Sequence, residues 1–390
     1  MATSSLTPWL RHSALALAVG SVGCSTFSIR ADRCPAYPIA SAAASAGLAS
    51  DVKVQYLGVG GYLVSRGDDV VLFGPEYSNP GIAEVMFDHQ IRTDRALVDR
   101  LLLHDANKAQ AIVIGHSHYD HLLDTPYIAN NKATQATVYG STTMANLIAS
   151  AVAPDRLFDV AERLADIAEA SPGQTWIPIG QRMRLTPITS EHSDQFRLKV
   201  PLTGINQPVH AWRGEVTDAQ SALPTTASGW AEGQVYAYLL DFMDASGNIE
   251  FRIYYQDSGT NAPMGFPVPD GKKVDVALIC LGGDFERLTW HPEAIIEATQ
   301  PRFLILGHWE DFFVPQTDIC TTGRVAGIPL QDTEYFVARA QAALKAQKLP
   351  GKPILPCPTA SVFFFPIDVS DDGAVHKALK NGRATYDCAR

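Results

Sequence analysis

The 390-residue chain has no cluster of lysines or arginines, and its 31 basic residues are outnumbered by 41 acidic ones, a formal net charge of -10. Nucleic acid needs a positive surface to displace its counterions, so a nucleic-acid partner is not expected. Beyond the N-terminus there is no apolar run of the roughly 20 residues that a membrane-spanning helix takes. With 46% hydrophobic and 18% charged residues, the chain reads as soluble and globular, with material for a large core. The six cysteines, at 24, 34, 280, 320, 357 and 388, lack CxxC spacing, which excludes a structural zinc knuckle. Cys280 lies in the apolar run VDVALIC and reads as a buried free thiol. With Cys24 set aside, Cys34, Cys320, Cys357 and Cys388 leave all their disulfide connectivities open.

After Arg11, the stretch SALALAVGSVG is far below spanning length and has the small and apolar residues of a signal h-region, so residues 1–23 are read as an export signal. It ends in Ser21-Val22-Gly23-Cys24, which resembles a bacterial lipobox with Ser21 where leucine is preferred. The resemblance implies membrane attachment through a lipidated Cys24; a cleaved secretory signal with a chance cysteine is the alternative. Either way a periplasmic or membrane-anchored bacterial protein is expected. Residues 24–51, rich in Ala and Ser and without periodicity, read as a tether.

The folded domain is expected to start at residue 52. VKVQYLG, GYLVSR and DVVLFGP are short β-rich runs separated by Gly-Gly and Gly-Asp-Asp, the punctuation of antiparallel hairpins. RALVDRLLLHD has helical spacing, and AIVIG fits a strand buried on both faces. Strand-like TVYG and helical TTMANLIA follow, and a second series holds QVYAYLLDF, IEFRIYYQ, VDVALICLG, the helix HPEAIIEAT and RFLILG. Two sheets faced by helices would result. Residues 194–232, rich in Pro, Gly and Thr and holding Trp212 and Trp230, read as a flap over the site, with an ordinary surface excursion as the alternative. The domain is placed at 52–315, with 316–390 as a C-terminal extension packed on it.

In GHSHYDHLLD, directly after the buried strand, His116, His118, Asp120 and His121 form HxHxDH. His116 and His118, two residues apart in an extended turn, can converge on one ion, while Asp120 and His121 at a helix start can address a second. Imidazole and carboxylate together suit zinc, iron or manganese. A lone histidine is usually a satisfied polar residue, but four such side chains within six residues after a buried strand point to metal.

The motif resembles that of the metallo-β-lactamase superfamily, which implies an αββα sandwich and three further ligands at strand ends. His192 in LTPITSEHSD resembles the third histidine, Asp257 in RIYYQDSG the bridging aspartate, and His308 in RFLILGHWEDF the last histidine. The HW..F pattern of His308, Trp309 and Phe312 is similar to that of the ascorbate-phosphate-lactonase-like and N-acylphosphatidylethanolamine-phospholipase-D-like branches. Two departures stand out: Phe73-Gly74-Pro75 where Asp-Pro is common, and Leu123-Asp124 where Gly-Gly is common. Asp124 is read either as an acceptor for a ligating imidazole or as a solvated helix carboxylate. His210 and His291 are weighed as substrate contacts, and Glu310 as solvated. The resemblance implies two divalent metal ions, zinc first, that activate a water for attack on an ester or phosphodiester bond of a small-molecule or lipid-like substrate. Asp120 or a metal-bound water would shuttle the proton to the leaving group. A β-lactamase and a non-catalytic metal-binding surface lipoprotein are the competing readings.

Overall fold

The computed structural model describes residues 27–35, 51–164, 176–200 and 205–367. The export signal, Cys24, most of the tether and residues 368–390 lie outside the described residues, so the expectations placed there are carried by sequence alone. Among the described residues no helix is long and apolar enough to cross a membrane.

The strands of the first half are β1 (Ser28–Arg30), β2 (Val52–Gly58), β3 (Gly61–Arg66), β4 (Asp69–Phe73), β5 (Ala109–Val113), β6 (Thr137–Gly140) and β7 (Leu157–Asp159). Those of the second are β8 (Ile177–Ile179), β9 (Met183–Thr189), β10 (Phe196–Val200), β11 (Ile205–Val209), β12 (Tyr236–Met243), β13 (Ile249–Gln256), β14 (Val276–Cys280), β15 (Phe303–Gly307), β16 (Arg324–Ala326) and β17 (Val362–Phe365). Short helices follow the strands: α1 (Ile82–Met86), α2 (Arg95–Leu101), α3 (Tyr119–Leu122), α4 (Thr125–Asn131), α5 (Thr142–Ile148), α6 (Glu293–Thr299), α7 (Asp318–Thr322) and α8 (Thr333–Ala346).

Two mixed sheets carry the fold. One is ordered β17-β2-β3-β4-β5-β6-β7 and the other β15-β14-β13-β12-β9-β8. Alternate residues of each strand face the opposite sheet, as the two-residue period of a strand requires. Val54, Tyr56, Val71, Phe73 and Val113 thus meet Leu185, Tyr238, Leu240, Ile253, Tyr255 and Leu278 in a fully buried layer. The other faces are covered by helices: Leu72, Ile112 and Val138 pack with Val98, Leu122, Ile128 and Leu147, and Ile279, Leu304 and Leu306 belong with Ile295, Ile296, Phe336 and Leu344 to the same apolar cluster. Strands buried on both sides explain why AIVIG and VALIC are apolar without alternation. The order helix, sheet, sheet, helix is the metallo-β-lactamase fold.

The expected boundary at 315 is too early. β17 pairs antiparallel with β2 and completes the edge of the first sheet, with Phe363 and Phe365 buried. A disulfide between Cys34 and Cys357 ties the ends of the described chain together, and Cys320 is also disulfide-bonded, while Cys280 is a buried free thiol. A strand that pairs with a partner some 300 residues away leaves no local mark on its boundaries, which is why the extension read as an appendage.

Topology gathers the strand ends. β13, β14 and β15 are mutually parallel, and β9 runs antiparallel to β12, which is itself antiparallel to β13. β9, β13 and β15 therefore all finish at one edge of their sheet. The loops carrying His192, Asp257 and His308 emerge there, opposite the loop that leaves β5.

Candidate metal centre

β5 ends at Val113, and the chain turns through Gly115 so closely over the second sheet that a Cβ there would collide with the carboxylate of Asp257. Only glycine allows that approach. His116 and His118 follow, 1% and 2% exposed, with His118 as the N-cap residue of α3; Asp120 and His121 lie on α3 itself. Gly74, at φ 41°, leaves the space that His121 occupies: a Cβ there would come within 2.9 Å of the Tyr255 hydroxyl and 3.5 Å of His121 Nδ1. His308 has φ 55°, an uncommon conformation for a non-glycine residue. It is held by its backbone N–H, which donates to the Tyr56 hydroxyl at 2.8 Å, and that hydroxyl donates in turn to Glu310.

The imidazoles converge. The His116 ring centroid lies 4.7 Å from that of His118, 4.4 Å from His121 and 4.6 Å from His192, and His121 is 5.2 Å from His308. Donor atoms of His116, His118 and His192 lie within 4.8 Å of one another, as do those of His116, Asp120 and His121. His308 Nε2 donates to Asp120 Oδ2 at 3.3 Å, and His121 Nε2 is 3.6 Å from the same oxygen. A third such group, His192, His210 and Glu232, lies beside them.

Five buried nitrogens of this cluster have no hydrogen-bond partner: His116 Nε2, His118 Nε2, both nitrogens of His121, and His308 Nδ1. An orphaned buried polar group costs about 1–3 kcal/mol, and proteins rarely collect several in one place. A donor set of neutral imidazoles and one ionised carboxylate fits a divalent transition metal, which would use those lone pairs. Burial and the neighbouring imidazoles keep His116 and His118 well below the usual histidine range, and burial takes His121 down to about 3. Burial also lowers His192. Burial pushes the Asp120 carboxyl up, but electrostatic attraction to His121 and the hydrogen bond from His308 outweigh it and hold the carboxyl well below its ordinary value. His116, His118, His121, His192 and Asp120 are thus each shifted towards the protonation state a metal ligand needs.

Several expectations change. Asp257 lies closer to one donor set than to the other: its Oδ1 faces His116 Nδ1 at 3.0 Å, while its Oδ2 accepts from Gly115 N–H at 3.1 Å and is 3.9 Å from His121 Nδ1, and burial raises its pKa. Its shortest contact in the cluster is with His116. Asp124 neither meets an imidazole nor faces solvent; it is fully buried and accepts from the backbone N–H groups of Tyr77 and Ser78 and from the Ser78 hydroxyl. Glu310 is likewise buried, accepting from Tyr56 and from Val59 N–H. His291 donates from Nε2 to the Cys280 carbonyl at 3.2 Å, away from the cluster. Within the flap, Trp212 packs edge-on against His118 and Tyr119, whereas Trp230 is fully buried in the core beneath. His210 reaches the cluster, bonded to Glu232 and 5.5 Å from the His192 ring. Glu232 escaped notice in the sequence, because an irregular loop carries no periodicity to show which of its polar residues turn inward.

In front of His118, Asp120, His192 and His308 lies a pocket of about 170 Å³ walled by Val85, Met86, Trp212, Phe312, Phe313 and Ile328.

Residues 79–221, which include the HxHxDH loop and His192, match the family model of the β-lactamase superfamily domain. Over these residues the chain is similar to the β-lactamase superfamily domain. The domain is similar to a metal-dependent hydrolase of Cupriavidus taiwanensis, 26% identical over 210 residues that make up 52% of this chain and 59% of that protein. It is also similar to one of Cupriavidus necator, 24% identical over 52% of this chain and 58% of the relative. The match thus spans less than two thirds of those relatives. Among solved structures, the metallo-β-lactamase fold protein YhfI from Bacillus subtilis is 13% identical with a TM-score of 0.43, covering 81% of this chain and 99% of its own. The diiron β-hydroxylase CmlA from Streptomyces venezuelae is 11% identical at the same TM-score, covering 81% and 54%.

Proposed function

We propose that the protein is a metal-dependent hydrolase in which His116, His118 and His192 hold one divalent ion and Asp120, His121 and His308 a second, zinc being the first candidate and iron or manganese the others. The observation that carries this is the presence of five partnerless buried imidazole nitrogens in one cluster of histidines with the ionised Asp120 carboxylate. Ions bound there would supply Lewis acidity, lowering the pKa of a water into the neutral range and polarising the substrate oxygen. The chain's own residues do the rest. Asp257 holds the His116 ring from behind, fixing the proton on Nδ1 and leaving the Nε2 lone pair to bind. Asp120, on the pocket wall, stays ionised and receives the proton that a reacting water gives up. Trp212 and Phe312 exclude solvent from the same wall.

The apolar lining favours an ester or phosphodiester that carries an apolar group, either a small molecule or a lipid-like one. An exported location belongs to this proposal, and the Cys34–Cys357 disulfide supports it, since such bonds persist in oxidising compartments. The test is elemental analysis together with a panel of p-nitrophenyl esters, bis(p-nitrophenyl) phosphate and nitrocefin, run on metal-defined protein. Ester or diester turnover that is lost in His116→Ala is expected. Absence of metal, or full metal with no turnover of any substrate, overturns the proposal; nitrocefin alone as substrate replaces it with a β-lactamase.

A further inference from the structure

His192 is the one imidazole of the cluster that lines two cavities: the apolar pocket, and a polar cavity of about 590 Å³ on the side of the flap. His210 and Glu232 line only the polar one. The two routes to the inner donors differ in kind. A hydrated dication loses solvation among Val85, Met86, Trp212, Phe312 and Phe313 before it reaches Asp120. The polar cavity offers the carboxylates of Glu191, Asp194, Glu232 and Asp284 against the guanidinium groups of Arg213 and Arg287.

We propose that His192, His210 and Glu232 form a separate capture site, which takes a divalent transition-metal ion from the polar cavity and passes it inward to His116 and His118 with His192 as the shared ligand. One donor atom from each of the three lies within 4.8 Å of the others. His192 Nδ1–H donates to the Ser193 carbonyl at 2.6 Å, so Nε2 is its sole free donor and serves one ion at a time. The capture site and the inner site therefore exchange an ion and do not hold two together. His210 is in the other tautomer: its proton is on Nε2, facing Glu232, and has to shift to Nδ1, where Asp194 Oδ1 at 3.3 Å can accept from it and free Nε2 for an ion. The exposed Arg213 guanidinium, which donates to the same Nδ1 at 2.6 Å, has to move aside. The transfer is short, because the His192 ring is 5.5 Å from His210, 4.6 Å from His116 and 5.0 Å from His118. Glu232 Oε2 is also 3.9 Å from His118 Nε2, so it borders both positions.

The proposal rests on the reading of His116 and His118 as metal ligands, and the experiment separates the two. Metal-free full-length protein is titrated with Zn²⁺ and the bound ions are counted for wild type, for His116→Ala/His118→Ala, and for that double variant with His210→Ala and Glu232→Gln added. The double variant is expected to keep as many ions as wild type, one of them at the capture site, and the quadruple variant to hold one fewer. If the double variant is already one ion short and the quadruple matches it, the capture site is wrong and the inner centre stands. If the quadruple variant equals wild type, both fail. In the otherwise native protein, Glu232→Gln and His210→Gln are expected to slow Zn²⁺ uptake, followed by stopped flow, by at least about tenfold with the final count unchanged. Unaltered uptake would make His210 and Glu232 no more than an ion pair that closes the flap.

Discussion

Replacing Asp257 separates a carboxylate that bridges two ions from one that orients a ligand. Its side chain is fully buried and serves two close donors, Gly115 N–H at 3.1 Å and His116 Nδ1 at 3.0 Å, with the Tyr255 hydroxyl as a more distant third at 3.5 Å. Asp257→Ala orphans both, at about 1–3 kcal/mol each. Part of that loss returns because the carboxylate, whose raised pKa records its desolvation, is gone. A net loss of about 2–3 kcal/mol in stability is expected from these two effects. Affinity for the ion on His116 should fall roughly 10- to 100-fold, while the ion on Asp120, His121 and His308 is retained. Asp257→Asn sharpens the comparison. Its amide oxygen can still accept from Gly115, but its NH₂ then faces His116 Nδ1, which must accept and so shift the proton to Nε2. That variant should keep most of the stability and lose the His116 ion almost as fully as alanine does. The assay is calorimetric Zn²⁺ titration of metal-free protein beside thermal unfolding. Equal weakening of both ions in Asp257→Ala would restore the bridging role, and unchanged affinity for both would refute any role at the centre.

Two further outcomes follow from the same structure. Gly115→Ala, whose new Cβ would collide with the Asp257 carboxylate, should displace that carboxylate and reproduce the metal loss of Asp257→Ala; native metal affinity in this variant would show that the close approach is unimportant. His291 is lowered by burial to about 4 in the folded protein against an ordinary histidine value of 6.5, so the unfolded chain binds the proton first as pH falls. Its contribution is complete above pH 6.5 and is lost progressively between 6.5 and about 4, at up to about 1.4 kcal/mol per pH unit. His291→Gln, which keeps a donor for the Cys280 carbonyl, should therefore show a smaller fall in Tm between pH 7 and pH 5 than wild type; an equal fall refutes the assignment.

What the sequence determined by itself is local. His116, His118, Asp120 and His121 fall within six residues after an apolar strand, so their meeting needs no knowledge of the rest of the chain. The strands were legible for a related reason: being covered on both faces, β5 and β14 are apolar throughout, and the hairpins between β2, β3 and β4 carry their own glycine punctuation. His192, Asp257 and His308 could be proposed only from resemblance, since nothing near them in sequence requires them to meet. Tertiary structure decided their geometry, because the parallel arrangement of β9, β13 and β15 carries their loops to one edge. It also decided the parts that depend on distant pairing: the strand β17, the Cys34–Cys357 bond, the burial of Asp124 and Glu310, and the inward turn of Glu232. In each case the partner lies tens to hundreds of residues away, and a carboxylate reads the same in sequence whether a distant hydroxyl or water will face it.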